Sequence, residues 1–101
     1  MSVVMILRVK ADPNALEMFA NAHADLMNGI ADAGKAAGAT RHTFAAAGDT
    51  EVLVIDEWPD EATFQNFFES QPDIPRIMQA AGALGAPEIS FYRKLDMPDE
   101  F

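Results

Sequence analysis

Two histidines are the side chains of this 101-residue chain best suited to acid–base catalysis. His42 lies in a segment that predicts a strand, and His23 lies on the apolar side of a segment that predicts a helix. An imidazole gains or loses a proton near neutral pH, so either residue can serve as a general base. We therefore take His42 and His23 as the catalytic candidates. Structural roles compete with this interpretation, since His42 can be exposed on an edge strand and His23 bonded to a neighbouring group.

Four further side chains are candidates for binding a substrate. The only tryptophan, Trp58, can stack against an aromatic ligand or pack the corner between a strand and a helix. Arg8 and Asp56 each interrupt an apolar strand, and these strands are neighbours in the fold derived below, so the two can form an ion pair. Arg8 can also orient an anionic or phenolic ligand by charge-assisted hydrogen bonds. Tyr92 and Arg93 point to opposite faces of a strand, and we expect one of them to line a cavity.

The composition excludes several kinds of chemistry. Cysteine is absent, which rules out disulfides, thiolate zinc sites, iron–sulfur clusters and a cysteine nucleophile. There is no paired-histidine metal motif, no glycine-rich phosphate loop and no serine-nucleophile elbow. The sequence therefore predicts neither a metal nor a cofactor.

The charge balance limits the partners. Sixteen acidic residues against seven lysines and arginines give a net charge of −9, which repels nucleic-acid phosphates and anionic membrane surfaces. No apolar run approaches the roughly 20 residues of a membrane span, and no signal-peptide pattern begins the chain. We expect a cytoplasmic protein with no nucleic-acid or membrane partner.

Six main elements must position these side chains. Apolar periodicity and turn signals predict a first strand, a long helix, a hairpin of two strands, a second helix followed by a short helical piece, and a last strand. The first strand spans 3–10, and the long helix runs from 13 to 34 or 38. The two hairpin strands span 39–47 and 50–58, the second helix 59–69, the short helical piece 74–81 and the last strand 88–95. The resulting β-α-β-β-α-β order is that of a ferredoxin-like α+β fold with an antiparallel sheet. We predict a single domain over 1–95 and an acidic tail over 96–101.

The segment after the third strand carries a resemblance to a known family. Trp58, followed by the polar and aromatic residues of 59–70, resembles the corresponding segment of the antibiotic biosynthesis monooxygenase-like family of the dimeric α/β barrel superfamily. The resemblance implies a ferredoxin-like protomer whose sheet packs on the sheet of a second copy, with a ligand cavity between the two sheets. The strands are apolar on both faces, which independently favours a homodimer.

The same resemblance implies an activity. It suggests a cofactor-independent monooxygenase acting on a small aromatic or quinol-type molecule, with His42 or His23 as the base and Arg8, Trp58 and Tyr92 as binding residues. Haem degradation, another activity of the superfamily, does not fit, because 64–79 contains no histidine and 2–10 no asparagine. The alternatives are a non-catalytic dimeric module that binds or senses a hydrophobic metabolite, and an isomerase or cyclase on the same barrel.

The alternation of residues along the strands predicts which face forms the site. Asp56 and Trp58 share one face of their strand, and the alternate residues of the first strand opposite to Arg8 are all apolar. We expect the helices to cover that apolar face. The mixed face, with Arg8, Asp56 and Trp58, is then expected to look into the inter-sheet cavity.

Overall fold

The computed structural model describes residues 2–101 and contains one four-stranded antiparallel sheet with helices packed on one face. The strands lie in the order β2-β3-β1-β4, which is the ferredoxin-like arrangement. The fold class predicted from the sequence is therefore confirmed. In chain order the elements are β1 (Val3–Lys10), α1 (Pro13–Ala22), α2 (Ala24–Ala37), β2 (Arg41–Ala47), β3 (Glu51–Trp58), α3 (Glu61–Ser70), α4 (Ile74–Ala80) and β4 (Leu84–Arg93).

Strand β1 occupies a central position because it pairs with both β3 and β4. Its odd-numbered residues Met5, Leu7 and Val9 are buried under the helices, whereas Arg8 and Lys10 are exposed on the opposite face. This alternation is what a half-covered sheet requires. The helix-covered face of β1 is thus the one that the sequence predicts.

The predicted long first helix is two helices that meet at His23. Asp12 caps α1, its carboxylate accepting hydrogen bonds from the backbone N–H groups of Asn14 and Ala15. The backbone of His23 leaves the helical region, with φ −129° and ψ 47°, and its ring binds the carbonyl oxygen of Phe19. The single-helix prediction was wrong because the apolar spacing continues across this break. Helix α2 ends at Gly38, whose φ of 122° favours glycine.

The two remaining strands differ in exposure. Strand β2 lies at the edge of the sheet and every residue in it is exposed. Strand β4 begins at Leu84, four residues before the predicted start at 88, and the pairing of β1 with β4 shifts register between Arg8 and Lys10. Within residues 2–101, no helix combines the length and apolarity needed to cross a bilayer.

The core lies between the sheet and the helices. Trp58 and Met5 are its most deeply buried large side chains, at 2% and 0% exposure. Trp58 packs against Phe64 and Phe67 of α3, with ring centroids 5.6 and 5.2 Å away. Trp58 therefore packs the strand-to-helix corner, one of the two roles considered for it.

Candidate functional site

A cavity of about 550 Å³ lies between the sheet and the helices of the single chain. Most of its wall is apolar, and side chains from the sheet, α2, α3 and α4 contribute to it. The volume is within the range of roughly 300–1,000 Å³ usual for small-molecule sites. The apolar wall includes Met5, Leu7, Val9, Met27, Ile30, Phe44, Val52, Val54, Trp58, Phe64, Phe67, Phe68, Ile77 and Met78.

The polar centre of the cavity is a hydrogen-bonded chain of three side chains. Oδ1 of Asp56 lies 2.7 Å from Nδ1 of His42, and Oδ2 of Asp56 accepts a hydrogen bond of 3.0 Å from Nε1 of Trp58. Asp56 is only 5% exposed, whereas the side chain of His42 is 42% exposed. Both oxygens of the buried carboxylate are thus satisfied, as a buried polar group requires.

This chain defines which nitrogen of His42 can react. A carboxylate only accepts hydrogen bonds, so Nδ1 of His42 carries the hydrogen that points to Asp56. Nε2 of the neutral ring then has a free lone pair and can accept a proton from a ligand. Asp56 holds the ring in this tautomer and stabilises the imidazolium that forms, while Trp58 fixes the second carboxylate oxygen. Such an arrangement can orient a histidine as a general base.

The register of two strands produces the arrangement. His42 pairs directly with Asp56 across the β2–β3 hairpin, and Trp58 follows Asp56 by two residues on the same face. Gly34 of α2 packs beside the rings of Phe67 and Trp58, with room for a Cβ at ordinary contact distances of 3.6 and 3.8 Å. The sheet fixes the polar groups, and the helices close the apolar space over them.

Arg8 does not belong to this site, so the prediction that it shares a face with Asp56 was wrong. Arg8 pairs with Leu53, which points away from the helices, whereas Asp56 pairs with Met5 on the helix-covered face. Nε of Arg8 lies 4.0 Å from Oε2 of Glu51, in an exposed ion pair. Alternation fixes the faces within each strand, but the register between strands decides which residues meet.

Tyr92 also lies away from the cavity. It pairs with Val4 on the face that carries Arg8 and is exposed, while its neighbour Phe91 packs against Phe64 on the helix side. Neither Tyr92 nor Arg93 lines the cavity, contrary to expectation.

His23 is outside the cavity as well. Its Nδ1 lies 3.1 Å from the carbonyl oxygen of Phe19, and its ring stacks on that of Phe19 with centroids 4.2 Å apart. These contacts support the structural interpretation, in which His23 stabilises the junction between α1 and α2. Of the two predicted bases, only His42 meets the other candidate residues Asp56 and Trp58.

Asp56 and Trp58 were expected to face a cavity between two sheets, and this placement was wrong. The space lies inside one chain because Asp56 and Trp58 share the helix-covered face with Met5 and Leu7. The opposite face of the sheet carries half-buried apolar side chains.

Sequence reasoning missed three polar residues of the wall. Lys35, Thr40 and Arg41 line the cavity next to His42, around the connection between α2 and β2. The helical spacing of Met27, Ile30 and Gly34 was the available signal, since Lys35 directly follows Gly34. Among residues 2–101, no cluster of three histidine, aspartate or glutamate side chains is placed to hold a metal ion.

Glu57 neutralises Arg41 at the edge of the site. Oε2 of Glu57 lies 2.8 Å from Nε of Arg41, and Oε1 lies 3.1 Å from Nζ of Lys94. The hydrogen bond from Lys94, followed by the contacts with Arg41, holds the pKa of Glu57 below its usual range, against the opposite effect of burial. The guanidinium of Arg41 therefore forms a structural ion pair with Glu57.

The fold is ferredoxin-like with an internal cavity, and solved structures of other proteins share this fold. SnoaB, a cofactor-independent oxygenase from Streptomyces nogalater, is 20% identical, with 98% of each chain covered and a TM-score of 0.62. A monooxygenase from the gene ActVA-Orf6 of Streptomyces coelicolor, solved with nanaomycin D, is 19% identical over 97% of this chain and 93% of that one, with a TM-score of 0.64.

A third similar structure is a dimeric ferredoxin-like protein from an uncultured marine organism, 12% identical, with 99% of this chain and 93% of that one covered and a TM-score of 0.68. No family model matches the chain, and no curated protein matches it. The resemblance stated from the sequence is thus confirmed in its fold: this chain has the ferredoxin-like fold of the antibiotic biosynthesis monooxygenase-like proteins.

Proposed function

We propose that this protein is a cofactor-independent monooxygenase that oxidises a small aromatic or quinol-type molecule in the helix-covered cavity. The observation that carries the proposal is the base His42, oriented by Asp56 and Trp58 and opening onto a largely apolar space. The fold shared with a cofactor-independent oxygenase and with a monooxygenase that binds nanaomycin D supports it.

The reaction needs a substrate whose ring carries an acidic CH₂ group. Nε2 of His42 removes one proton, and the resulting carbanion transfers one electron to O₂. The two radicals combine to a peroxide, which takes the proton back from the imidazolium. Loss of water, with cleavage of the second C–H bond, leaves a carbonyl group. The balance is CH₂ plus O₂ to C=O plus H₂O, so the substrate supplies all the electrons.

The apolar wall has a part in this chemistry. A site with little water strengthens the hydrogen bond between His42 and Asp56 and keeps the carbanion from being protonated again by solvent. The partly buried rings of Phe67 and Phe68 and the exposed ring of Phe44 line the cavity and offer surfaces against which a planar substrate can stack.

We also propose that the protein acts as a homodimer. The sheet face opposite the helices, named here the open face, carries the half-buried apolar side chains Val4, Ile6, Leu53 and Ile55. Exposed apolar patches of this kind favour a partner surface, and a second copy related by two-fold symmetry is the commonest one. The dimeric structural neighbour is consistent with it.

The test is oxygen uptake with anthrone, a three-ring ketone with an acidic ring CH₂ group. We expect protein-dependent consumption of O₂, formation of anthraquinone, and one ¹⁸O atom from ¹⁸O₂ in the new carbonyl group. The Asp56→Asn variant serves as the matched control that keeps the shape of the site. Binding without oxygen uptake would instead support the non-catalytic module, and product without oxygen uptake the isomerase or cyclase.

A further inference from the structure

Apart from Asp56, the polar residues of the cavity wall come from one short stretch of chain. Lys35, Thr40, Arg41 and His42 all come from residues 35–42, and every wall residue from α3 and α4 is apolar. The cavity is therefore apolar at one end and polar at the other. Since β2 is exposed along its whole length, the polar end is also the end that opens to solvent.

Lys35 is the cation of this polar end that has no acidic partner. Arg41 is bound by Glu57, and the two oxygens of Asp56 are taken by His42 and the indole. Among residues 2–101, Lys35 forms no ion pair and lies exposed in the last turn of α2. Its charge is thus available to a ligand.

We propose that the cavity selects an aromatic ligand that carries a carboxylate, with the rings in the apolar end and the carboxylate beside Lys35 at the mouth. The proposal rests on the proposed function only in taking this cavity as the site. It assigns Lys35 a role in specificity, separate from the role of His42 as a base. An ammonium group attracts a carboxylate as a point charge and does not require bidentate geometry.

The charge of the remaining protein makes this contact selective. The chain has a net charge of −9, so an anion is repelled over most of the surface. A lysine in the last turn of a helix also interacts favourably with the helix dipole, which is the structural alternative for Lys35. That alternative predicts an effect on stability and none on the choice between ligands.

Calorimetry with two probes of the same shape tests the proposal. We expect the protein to bind 2-naphthoate about three- to fivefold more tightly than the neutral 2-naphthamide, a modest ratio because Lys35 is exposed. Lys35→Met is expected to abolish this preference while leaving the affinity for the amide unchanged, and Lys35→Arg to keep it. Added NaCl is expected to weaken only the naphthoate complex.

Lys10→Met is the matched control, because it removes the same charge from an exposed residue that does not line the cavity. Equal affinity of the wild type for the two probes, no binding of the acid at millimolar concentration, or loss of the preference in Lys10→Met would overturn the proposal. Calorimetry measures binding and no turnover, so the two proposals can fail separately. A preference for the acid together with no oxygen uptake in the anthrone assay would refute the proposed monooxygenase and leave this inference standing.

Discussion

Asp56 and Glu57 are adjacent acidic residues of one strand that face opposite sides of the sheet. Asp56 points under the helices and accepts hydrogen bonds from His42 and Trp58. Glu57 points to the open face and binds two permanent cations. Their side chains are similarly shielded, at 7% and 14% exposure. Burial alone therefore does not distinguish the two, and the partners do.

The partners decide what each carboxylate can do. A histidine near neutral pH can exchange a proton, so the group on the helix side can take part in acid–base chemistry. Arginine and lysine keep their protons, so Glu57 with Arg41 and Lys94 can only stabilise the structure. The same residue type, one position apart, thus serves a site on one face and the scaffold on the other.

The largest expected effect separates the two histidines. His42→Gln is expected to lower kcat/KM for oxygen uptake by about 100- to 10,000-fold, the usual range for loss of a general base. His23→Gln, the same substitution outside the cavity, is expected to leave it within about twofold. The free energy of unfolding of His42→Gln, measured with urea, is expected to fall by about 1–3 kcal/mol, because buried Asp56 loses the hydrogen bond from Nδ1 of His42. Equal losses in the two variants would contradict the assignment.

Asp56→Asn is expected to lower the free energy of unfolding by about 1–3 kcal/mol. The amide has one oxygen where the carboxylate has two, so its NH₂ group faces either the indole N–H, which then lacks an acceptor, or Nδ1 of His42, which must then move its hydrogen to Nε2. Urea unfolding measures the change. Asp49→Asn, in the exposed hairpin turn, is the matched control and is expected to be neutral. A comparable loss of unfolding free energy in the two variants would show that the hydrogen bonds of Asp56 to His42 and Trp58 do not stabilise the fold.

Ile55→Lys tests the open face. A lysine there places an unpaired charge in the proposed dimer interface, and we expect the dissociation constant to rise at least about tenfold, or about 1.4 kcal/mol. Light scattering is expected to show the mass falling from twice 11.0 kDa towards 11.0 kDa. Met18→Lys, on the exposed side of α1, is the control. A wild-type protein that is already monomeric at micromolar concentration would refute the dimer.

Glu57→Gln is expected to have the smallest effect, less than about 1 kcal/mol, because the cations are near the surface. The pKa of Glu57 is lowered in the folded state, first by Lys94, so its contribution is present above the unfolded value near 4.5 and is lost as the pH falls through the folded value. The pKa of Lys94 is raised, first by Glu100 and then by Glu57. The stability that the charged Lys94 contributes is therefore lost as the pH rises above about 10.5.

Thermal unfolding across pH measures this. The wild type is expected to exceed Glu57→Gln in Tm between about pH 5 and 10, with the gap closing at lower pH. A gap that widens below pH 4 would show that the carboxylate is not stabilised by these cations.

Much of the fold follows from local patterns in the sequence. The alternation of apolar residues in β1 and the capping residues Asp12 and Pro13 predicted elements that the structure contains. The break at His23 was not predictable from apolar spacing, because both helices keep the same buried side across it. The start of β4 was predicted four residues too late, since glycine and alanine at 85 and 86 have low strand propensity, and its end two residues too late.

The candidate site depended on register, which a single strand does not reveal. The sequence predicted Asp56, Trp58 and His42 as polar or aromatic candidates but grouped Asp56 with Arg8. The hairpin held the missing information: once Ala47 pairs with Glu51, five steps along each strand bring His42 opposite Asp56. The β1–β3 pairing spans two helices, and no local signal fixes it.

Trp58 has one consequence outside catalysis. It is the only tryptophan of the chain, and its indole lies in the cavity wall with its N–H bound to Asp56. When the protein is excited at the long-wavelength edge of tryptophan absorption, its near-ultraviolet emission therefore comes from Trp58 alone. A ligand in the cavity is expected to change the intensity of this emission, and loss of the Asp56 carboxylate to shift its wavelength. The molecule carries a built-in optical reporter of its own occupancy, without any label.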